Sequence, residues 1–366
     1  MRAAMTLEQC WHRVPGGTAV AAIETARALA ARPDLSVVGV AAAHRSPPPP
    51  RWRPPVDTRY LRLPRIALYE AWHYLRRPAV ERATGPVDVI HATGIAMPPR
   101  TAPIVTTIHD LAFVANPAHF SRAGLRFFRR ALSLTLSQAD LVLCSSRATL
   151  EQCRAAGFDE ARLRHVPLGV RAEPATHDEV ARVRIAHALE SPYVLWVGTV
   201  EPRKNLPGLM QAFRQLEHDV DLVLVGPKGW NEDLERLLAE LEPRVRDRVR
   251  VLGFVSEDDL GALYAGAEVF CFPSLLEGFG FPVLEAMAQG TPVVTSGETS
   301  TAELAQDAGI LVDPRDPDSI AGALSRVLSE SSLAAGLAEA GRSRAAGYTW
   351  EKTADLVAQA YAEAAA

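Results

Sequence analysis

Two short stretches concentrate the residues able to do chemistry. In Glu277-Gly278-Phe279-Gly280-Phe281-Pro282-Val283-Leu284-Glu285, two carboxylates flank a glycine-rich turn. Glycines at 278 and 280 let the backbone approach a ligand closely. Pro282 suits the first position of a helix, where its missing N–H costs nothing, and the helix is expected to end at Gly290. The start of such a helix presents unpaired N–H groups and a partial positive charge to an anion. Residues eight apart sit about 80° apart around an ideal helix, so the acids do not share a helical face. Glu277 is expected in the loop and Glu285 in the helix, both accepting hydrogen bonds from hydroxyls. An anion joined to a polyol, such as a phosphorylated sugar, fits this chemistry; a solvated loop with two surface acids is the plainer alternative.

The second stretch is Trp196-Val197-Gly198-Thr199-Val200-Glu201-Pro202-Arg203-Lys204-Asn205-Leu206. An apolar strand ends at Gly198, and two adjacent cations precede a helix expected to begin near Asn205. Arg203 offers a planar fork for bidentate phosphate contact and Lys204 a mobile point charge. Together they can neutralise a diphosphate, each charge-assisted bond contributing about 1.5–3 kcal/mol. A solvated basic turn is the alternative. Pro15-Gly16-Gly17-Thr18 reads as a tight strand-to-helix turn approaching a ligand, or as a turn and nothing more. His109 and Asp110 follow the strand expected over Ile104–Ile108. A parallel sheet sets ligand-binding groups at that edge, although a His-Asp pair can also merely organise a loop. Asp219-Val220-Asp221 fits the metal-binding DxD pattern, but it precedes a strand and so falls at the opposite edge, and no metal is expected.

These residues need a scaffold that brings strand ends together. Candidate strands are Ser36–Ala41, Val87–His91, Ile104–Ile108, Leu141–Cys144, Val194–Val197, Leu222–Val225, Arg250–Leu252, Val269–Phe272 and Pro292–Thr295. Nearly all lack polar alternation, as strands covered on both faces do. They alternate with longer helical patterns, the sequence form of βα units and a parallel sheet. The rhythm breaks between Val170 and Glu190, which predicts two doubly wound domains facing one cleft. With 366 residues, 48% of them hydrophobic, the chain can bury two cores. Its net charge of −4 gives no general attraction to nucleic acid. Cys10, Cys144, Cys153 and Cys271 form no CxxC pair, so neither a disulfide framework nor a zinc site is indicated. No membrane-spanning run and no export signal are recognisable, which predicts a cytoplasmic protein.

The order VGTVEPRKNL, VLGFVSEDDL, PSLLEGFGFPVLEAMAQGTPVVTS and AELAQDAGILVDP resembles the retaining glycosyltransferases of family 4, with weaker matches at GGTAVAAIETARALA, DVIHATG, TIHDLAF and ADLVLCSS. The resemblance implies the α/β GT-B fold, two Rossmann-like parallel-sheet domains around a central cleft. It implies an acceptor-binding domain over 1–172, a sugar-nucleotide-binding domain over 173–347, and a helix over 348–366 crossing back to the first. By matching position, Arg203 and Lys204 grip the diphosphate, Glu277 the sugar hydroxyls and Glu285 the ribose. The backbone of Gly278, Phe279, Gly280 and Phe281 completes the cradle. Gly253 and Phe254 border the base, and Gly198, Gly16 and Gly17 complete the donor set. His109 joins Arg203, Lys204 and Glu277 as catalytic, lying beside the transferred sugar; His109, Asp110, Tyr69 and Trp72 are expected to meet the acceptor.

The resemblance further implies transfer of a hexose, mannose favoured, from GDP-mannose or a UDP-hexose to a saccharide or lipid-linked acceptor. Attack from the face the diphosphate leaves, without a metal or other cofactor, is the expected route. Over Arg122–Gln138, arginines at 122, 126, 129 and 130 share one helical face and Leu125, Phe128, Leu132 and Leu136 another. That basic face suits peripheral contact with an anionic membrane, or is simply the outer side of a core helix. A GT-B epimerase or phosphorylase is the runner-up, and a sugar-nucleotide-binding protein without turnover the non-enzymatic alternative. A nicotinamide-dependent dehydrogenase is disfavoured because GxGxxG with an acid about 20 residues on is missing after the first strand.

Overall fold

The computed structural model describes residues 1–12, 15–171, 173–229 and 231–366, with the backbone alone for Glu257. The domain boundary expected after residue 172 falls at Ala172, outside the described residues. The chain divides into two compact units, Met1–Gly169 with Thr349–Ala366, and Val170–Tyr348.

The first unit contains β1 (Arg2–Thr6), β2 (Ser36–Ala41), β3 (Thr58–Tyr60), β4 (Val89–Ala92), β5 (Ile104–Ile108), β6 (Leu141–Cys144) and β7 (Leu163–His165). They form one parallel sheet in the order β3-β2-β1-β4-β5-β6-β7. Successive residues of β1 show why both faces must be covered: Ala3 and Met5 belong to one apolar cluster, Ala4 to the other. The first cluster includes Ala22, Ile23 and Ala26 of the helix Gly16–Ala30 and Val357 and Tyr361 of the helix Trp350–Ala365. The second takes Leu134 from the helix Arg122–Gln138 and Cys153 from the helix Arg147–Ala155. Thr349 caps the final helix, its Oγ1 accepting from Lys352 N at 3.3 Å.

The second unit contains β8 (Tyr193–Val197), β9 (Asp221–Val225), β10 (Val249–Gly253), β11 (Val269–Phe272), β12 (Val293–Ser296) and β13 (Ile310–Val312). Its parallel sheet runs β10-β9-β8-β11-β12-β13. Counted within the unit, this is the doubly wound order 3-2-1-4-5-6, and the first unit repeats it with one strand added. In both, the order reverses next to the unit's first strand, β1 beside β4 and β8 beside β11. Crevices outside the carboxyl ends of strands at such reversals are where doubly wound sheets bind ligands.

Some expectations need correction. Arg250–Leu252 lies in β10, an edge strand whose Val251 is 45% exposed, so it is not covered on both faces. The strands β1, β3, β7 and β13 fall outside the expected set. β1 is RAAMT, with no aliphatic β-branched residue, and the other three have three residues each, too few for a periodic signal. The helix after the glycine-rich turn begins at Phe281, which makes Pro282 its second residue, and ends at Ala288 with Gly290 just beyond at φ +76°. The helix after the cations begins at Leu206, not at Asn205, which takes a left-handed conformation.

Candidate functional site

In the second unit, Arg203 and Lys204 lie on a 3-10 turn, Pro202–Lys204, beyond the carboxyl end of β8. Glu277 lies in the loop beyond β11, the neighbouring strand across the reversal point. Arg203 O accepts from Leu275 N at 2.8 Å, which joins the two loops. Asn205 fixes the turn from below: its Nδ2 donates to Pro273 O (3.0 Å) and Pro314 O (2.6 Å). Lys204 Nζ donates to Glu277 Oε1 at 2.6 Å, both side chains being buried. The ammonium also lies 4.9 Å from the centroid of the Phe272 ring. Burial raises the Glu277 carboxyl, but the charges of Lys204 and Arg203 and the hydrogen bond from Lys204 outweigh it, so its pKa falls below 4.5. Arg203 is paired too, Nε to the buried Glu201 Oε1 at 2.6 Å. Two cations and two carboxylates thus form a self-neutralised group at the switch point.

The turn behind Glu277 is held by hydroxyls. Ser300 Oγ lies 3.0 Å from the carbonyls of both Glu277 and Phe279, and Ser296 Oγ donates to Ser274 O at 2.5 Å. Gly280 sits at φ +109°, where a Cβ would meet Thr301 Cγ2 at 2.8 Å; only glycine turns the chain into the helix there. Gly278 and Phe279 are buried, Phe281 is half-buried, and the two phenyl rings meet edge to face at 5.3 Å. Glu285, half-buried on that helix, accepts from Tyr264 Oη at 2.9 Å. Burial first, then Glu285, push the Tyr264 phenol well above 10, so it stays a donor.

Glycines end β8, β9 and β10 side by side. Gly198 N donates to Val225 O (2.9 Å) and Gly226 N to Gly253 O (2.8 Å). A Cβ on Gly226 would lie 1.9 Å from Gly198 O, so backbone closes over backbone along this rim. Phe254 follows Gly253 on the edge strand and is 68% exposed. Asp221 of the DxD-like triplet opens β9 at the far edge and accepts from Arg250 Nε at 3.1 Å. Among the described residues, no three His, Cys, Asp or Glu side chains converge as a metal would require.

The first unit collects a different set. Tyr69, Trp72, His109 and Asp110 all line one cavity of about 310 Å³. It also touches Thr6, the last residue of β1, Gln9 beyond it and Gly94 after β4, again at the reversal point. Thr149 Oγ1 donates to His109 O at 2.8 Å. Burial lowers the His109 imidazole, against opposition from Asp110 and the Thr93 backbone. Trp72 is buried with its Nε1 donating to Pro78 O at 3.0 Å, so it offers the cavity its ring alone. His91, fully enclosed between Tyr361 Oη (2.7 Å) and Thr107 Oγ1 (2.8 Å), is a structural residue. Gly16 and Gly17, expected with the donor residues, are exposed in the first unit at the start of the helix Gly16–Ala30.

Sequence reasoning missed Glu201, Tyr264 and Ser300 in the second unit, and His12, Gln9, Phe113, Phe120 and Phe127 around the cavity. Glu201 lies inside the motif and was legible as a partner for a cation two residues on. The others come from separate elements, and no local spacing announces them.

Residues 178–344 match the model of the glycosyl transferases group 1 and residues 15–173 that of glycosyltransferase family 4. The chain is 33% identical to the O-antigen chain mannosyltransferase B of Escherichia coli, over 75% of this chain and 74% of that protein. It is also 33% identical to the D-inositol 3-phosphate glycosyltransferase of Salinispora arenicola, over 79% of this chain and 72% of that protein. Among solved structures, Anabaena HepE in complex with UDP and glucose superposes with a TM-score of 0.79 at 20% identity, covering 99% of this chain and all of that one. The chain therefore belongs to the group 1, family 4 glycosyltransferases and is an enzyme of GT-B fold.

Proposed function

We propose that this enzyme transfers a hexose, mannose favoured, from a nucleoside diphosphate sugar to a saccharide or lipid-linked acceptor with retention of anomeric configuration. The observation that carries this reading is the buried Lys204–Glu277 pair at the switch point of the second sheet, beside Arg203 and a glycine-started helix. As the bond from sugar to diphosphate breaks, negative charge grows on the leaving group. Arg203, Lys204 and the first N–H groups of the helix Phe281–Ala288 stabilise it, and no metal is required. Glu277 holds the sugar hydroxyls and Glu285 the ribose, with Tyr264 orienting the Glu285 carboxylate. Gly198 and Gly253 let the nucleotide lie close to the sheet edge, and Phe254 borders the base.

The acceptor hydroxyl attacks from the side the diphosphate leaves and gives its proton to a phosphate oxygen, so no carboxylate base is needed. His109, with Asp110, Tyr69 and Trp72, belongs to the acceptor side. The relatives named as mannosyltransferases support mannose, and GDP-mannose is the favoured donor; the UDP-bound neighbour supports testing UDP-hexoses beside it. No described helix is long and apolar enough to cross a membrane. Arg122, Arg126 and Arg129 are exposed on the helix Arg122–Gln138, which supports peripheral contact with anionic lipid on the cytoplasmic side.

A thermal-shift screen across GDP- and UDP-sugars tests the donor site, since a ligand bound only by the folded state stabilises it by mass action. One nucleotide series is expected to raise Tm in the presence of EDTA, and Arg203→Ala to remove the shift. Transfer from the labelled donor should release nucleoside diphosphate and retain the anomer. An inverted product refutes the mechanism, and no shift with any sugar nucleotide refutes the donor reading.

A further inference from the structure

The cavity beside His109 is walled largely by aromatic rings. Its walls include Phe113, Phe120, Phe127 and Phe128 in addition to Tyr69 and Trp72. The rings support one another: Phe113 stacks on Phe128 at 5.2 Å, Phe120 meets Phe128 edge-on at 5.6 Å, and Tyr69 stacks on Phe127 at 5.6 Å. This much aromatic surface around an unfilled space is what a ligand with an apolar body would cover. At about 310 Å³ the space lies at the lower end of small-molecule pockets, roughly 300–1,000 Å³. It accommodates one compact group beside a sugar, not a length of polymer.

Among the described residues, the polar side chains that line the cavity bear no positive charge at neutral pH, with Arg65 acting on His12 from outside the lining. Burial, then Arg65, push His12 down to about 4, so its imidazole is neutral. Burial lowers His109 as well, and Asp110 brings a carboxylate to the same wall. A phosphate against Asp110 would meet like charge.

We propose that the acceptor is a neutral glycoside bearing a compact apolar aglycone, aryl or short alkyl, seated among Phe113, Phe120, Phe127 and Phe128. Burial of that group holds the attacked hydroxyl at His109. This rests on the reading that the first unit binds the acceptor.

The test is calorimetric titration of the full chain, saturated with GDP or UDP, whichever stabilises it, with methyl, hexyl and phenyl α-mannosides and with mannose 6-phosphate. Hexyl and phenyl mannosides are expected to bind about tenfold or more tighter than the methyl compound, and mannose 6-phosphate weakest. Phe120→Ala, at a half-buried position, should erase the preference and keep the nucleotide thermal shift. Phe127→Leu serves the same purpose where the alanine variant does not fold. Equal binding of the methyl and phenyl mannosides, or preference for the phosphate, overturns the proposal. A nucleotide shift without an aglycone preference overturns it alone; an aglycone preference without any nucleotide shift upholds the pocket and refutes the donor reading.

Discussion

The two units share one strand order and one point of reversal, yet they have built opposite chemistry there. At the end of β8 and β11 the second unit places buried ions, Lys204 with Glu277 and Arg203 with Glu201. At the end of β1 and β4 the first unit places Thr6, Gln9 and Thr93, with aromatic rings, a neutral His12 and the Asp110 carboxylate around the cavity, while the buried Glu8 faces away to Ala42 N and His44. The backbone differs accordingly. Glycines close the second unit's strand ends so that main chain can approach a ligand, whereas side chains wall the first unit's cavity. The same scaffold therefore carries a rim of paired ions in one unit and a cavity walled by aromatic rings in the other. Fold alone decides neither.

The largest effect expected from breaking this contrast is at Lys204. Lys204→Met strands the Glu277 carboxylate in the interior, and removing one partner of a buried ion pair costs about 3–5 kcal/mol. Pairing it with Glu277→Leu removes the stranded charge and should restore most of the lost stability in denaturant titrations. The double variant should still show no nucleotide-induced thermal shift. If it binds nucleotide as the wild type does, the ion pair is structural and the contrast between the units loses its functional meaning.

Acidification separates the units next. Burial, then His109, push His91 from 6.5 down to about 3, and burial brings His73 to about 4. Above pH 6.5 these rings are neutral in both folded and unfolded chains. Below it the unfolded chain binds protons that the folded one refuses, so the first unit loses stability as pH falls from 6.5 toward 3–4. A proton taken up only on unfolding gives a slope of about 1.4 kcal/mol per pH unit. Glu277 has a lowered pKa, so its contribution is present above 4.5 and is lost only as pH falls below that. Hydrogen exchange at pH 5 should therefore show β4 and β5 losing protection before β8 and β11. His91→Gln should flatten the stability slope between pH 6 and 5 by about one proton's worth; an unchanged slope removes His91 from the account.

How far the sequence foretold this depends on distance along the chain. Ser36–Ala41, Ile104–Ile108, Leu141–Cys144 and Val269–Phe272 are observed with the bounds their apolar runs suggested, because strands buried on both faces write that burial into consecutive residues. The Ala-rich β1 carries no such mark, although it is the strand at which the first sheet reverses. Arg203 and Lys204 stood out because they adjoin one strand end, Glu277 and Glu285 because they flank one turn. That Lys204 and Glu277 touch, 73 residues apart, depends on β8 lying beside β11. The cavity was less legible still. Phe128 is legible on the apolar face of its helix, but nothing local pairs it with Phe127, and Phe113 lies on a four-residue turn of helix that leaves no pattern.

The smallest expected effect also divides the units most selectively. In each, a hydroxyl from a following helix holds the carbonyl of a functional residue: Ser300 Oγ at Glu277 O and Phe279 O, Thr149 Oγ1 at His109 O. Each hydroxyl removal costs about 0.5–1.5 kcal/mol per hydrogen bond. Ser300→Ala loosens the turn carrying Glu277, so it should weaken nucleotide binding and leave aglycone preference as it was. Thr149→Val keeps the side-chain shape, frees the main chain at His109 and removes the acceptor of Ser146 Oγ, leaving the second unit untouched. It should lower kcat severalfold and leave the nucleotide thermal shift intact. The two readouts cross only if each unit holds one substrate by itself. A Thr149→Val enzyme that loses nucleotide affinity along with turnover would place donor recognition partly on His109, and the division of labour between charge and shape would have to be redrawn around that residue.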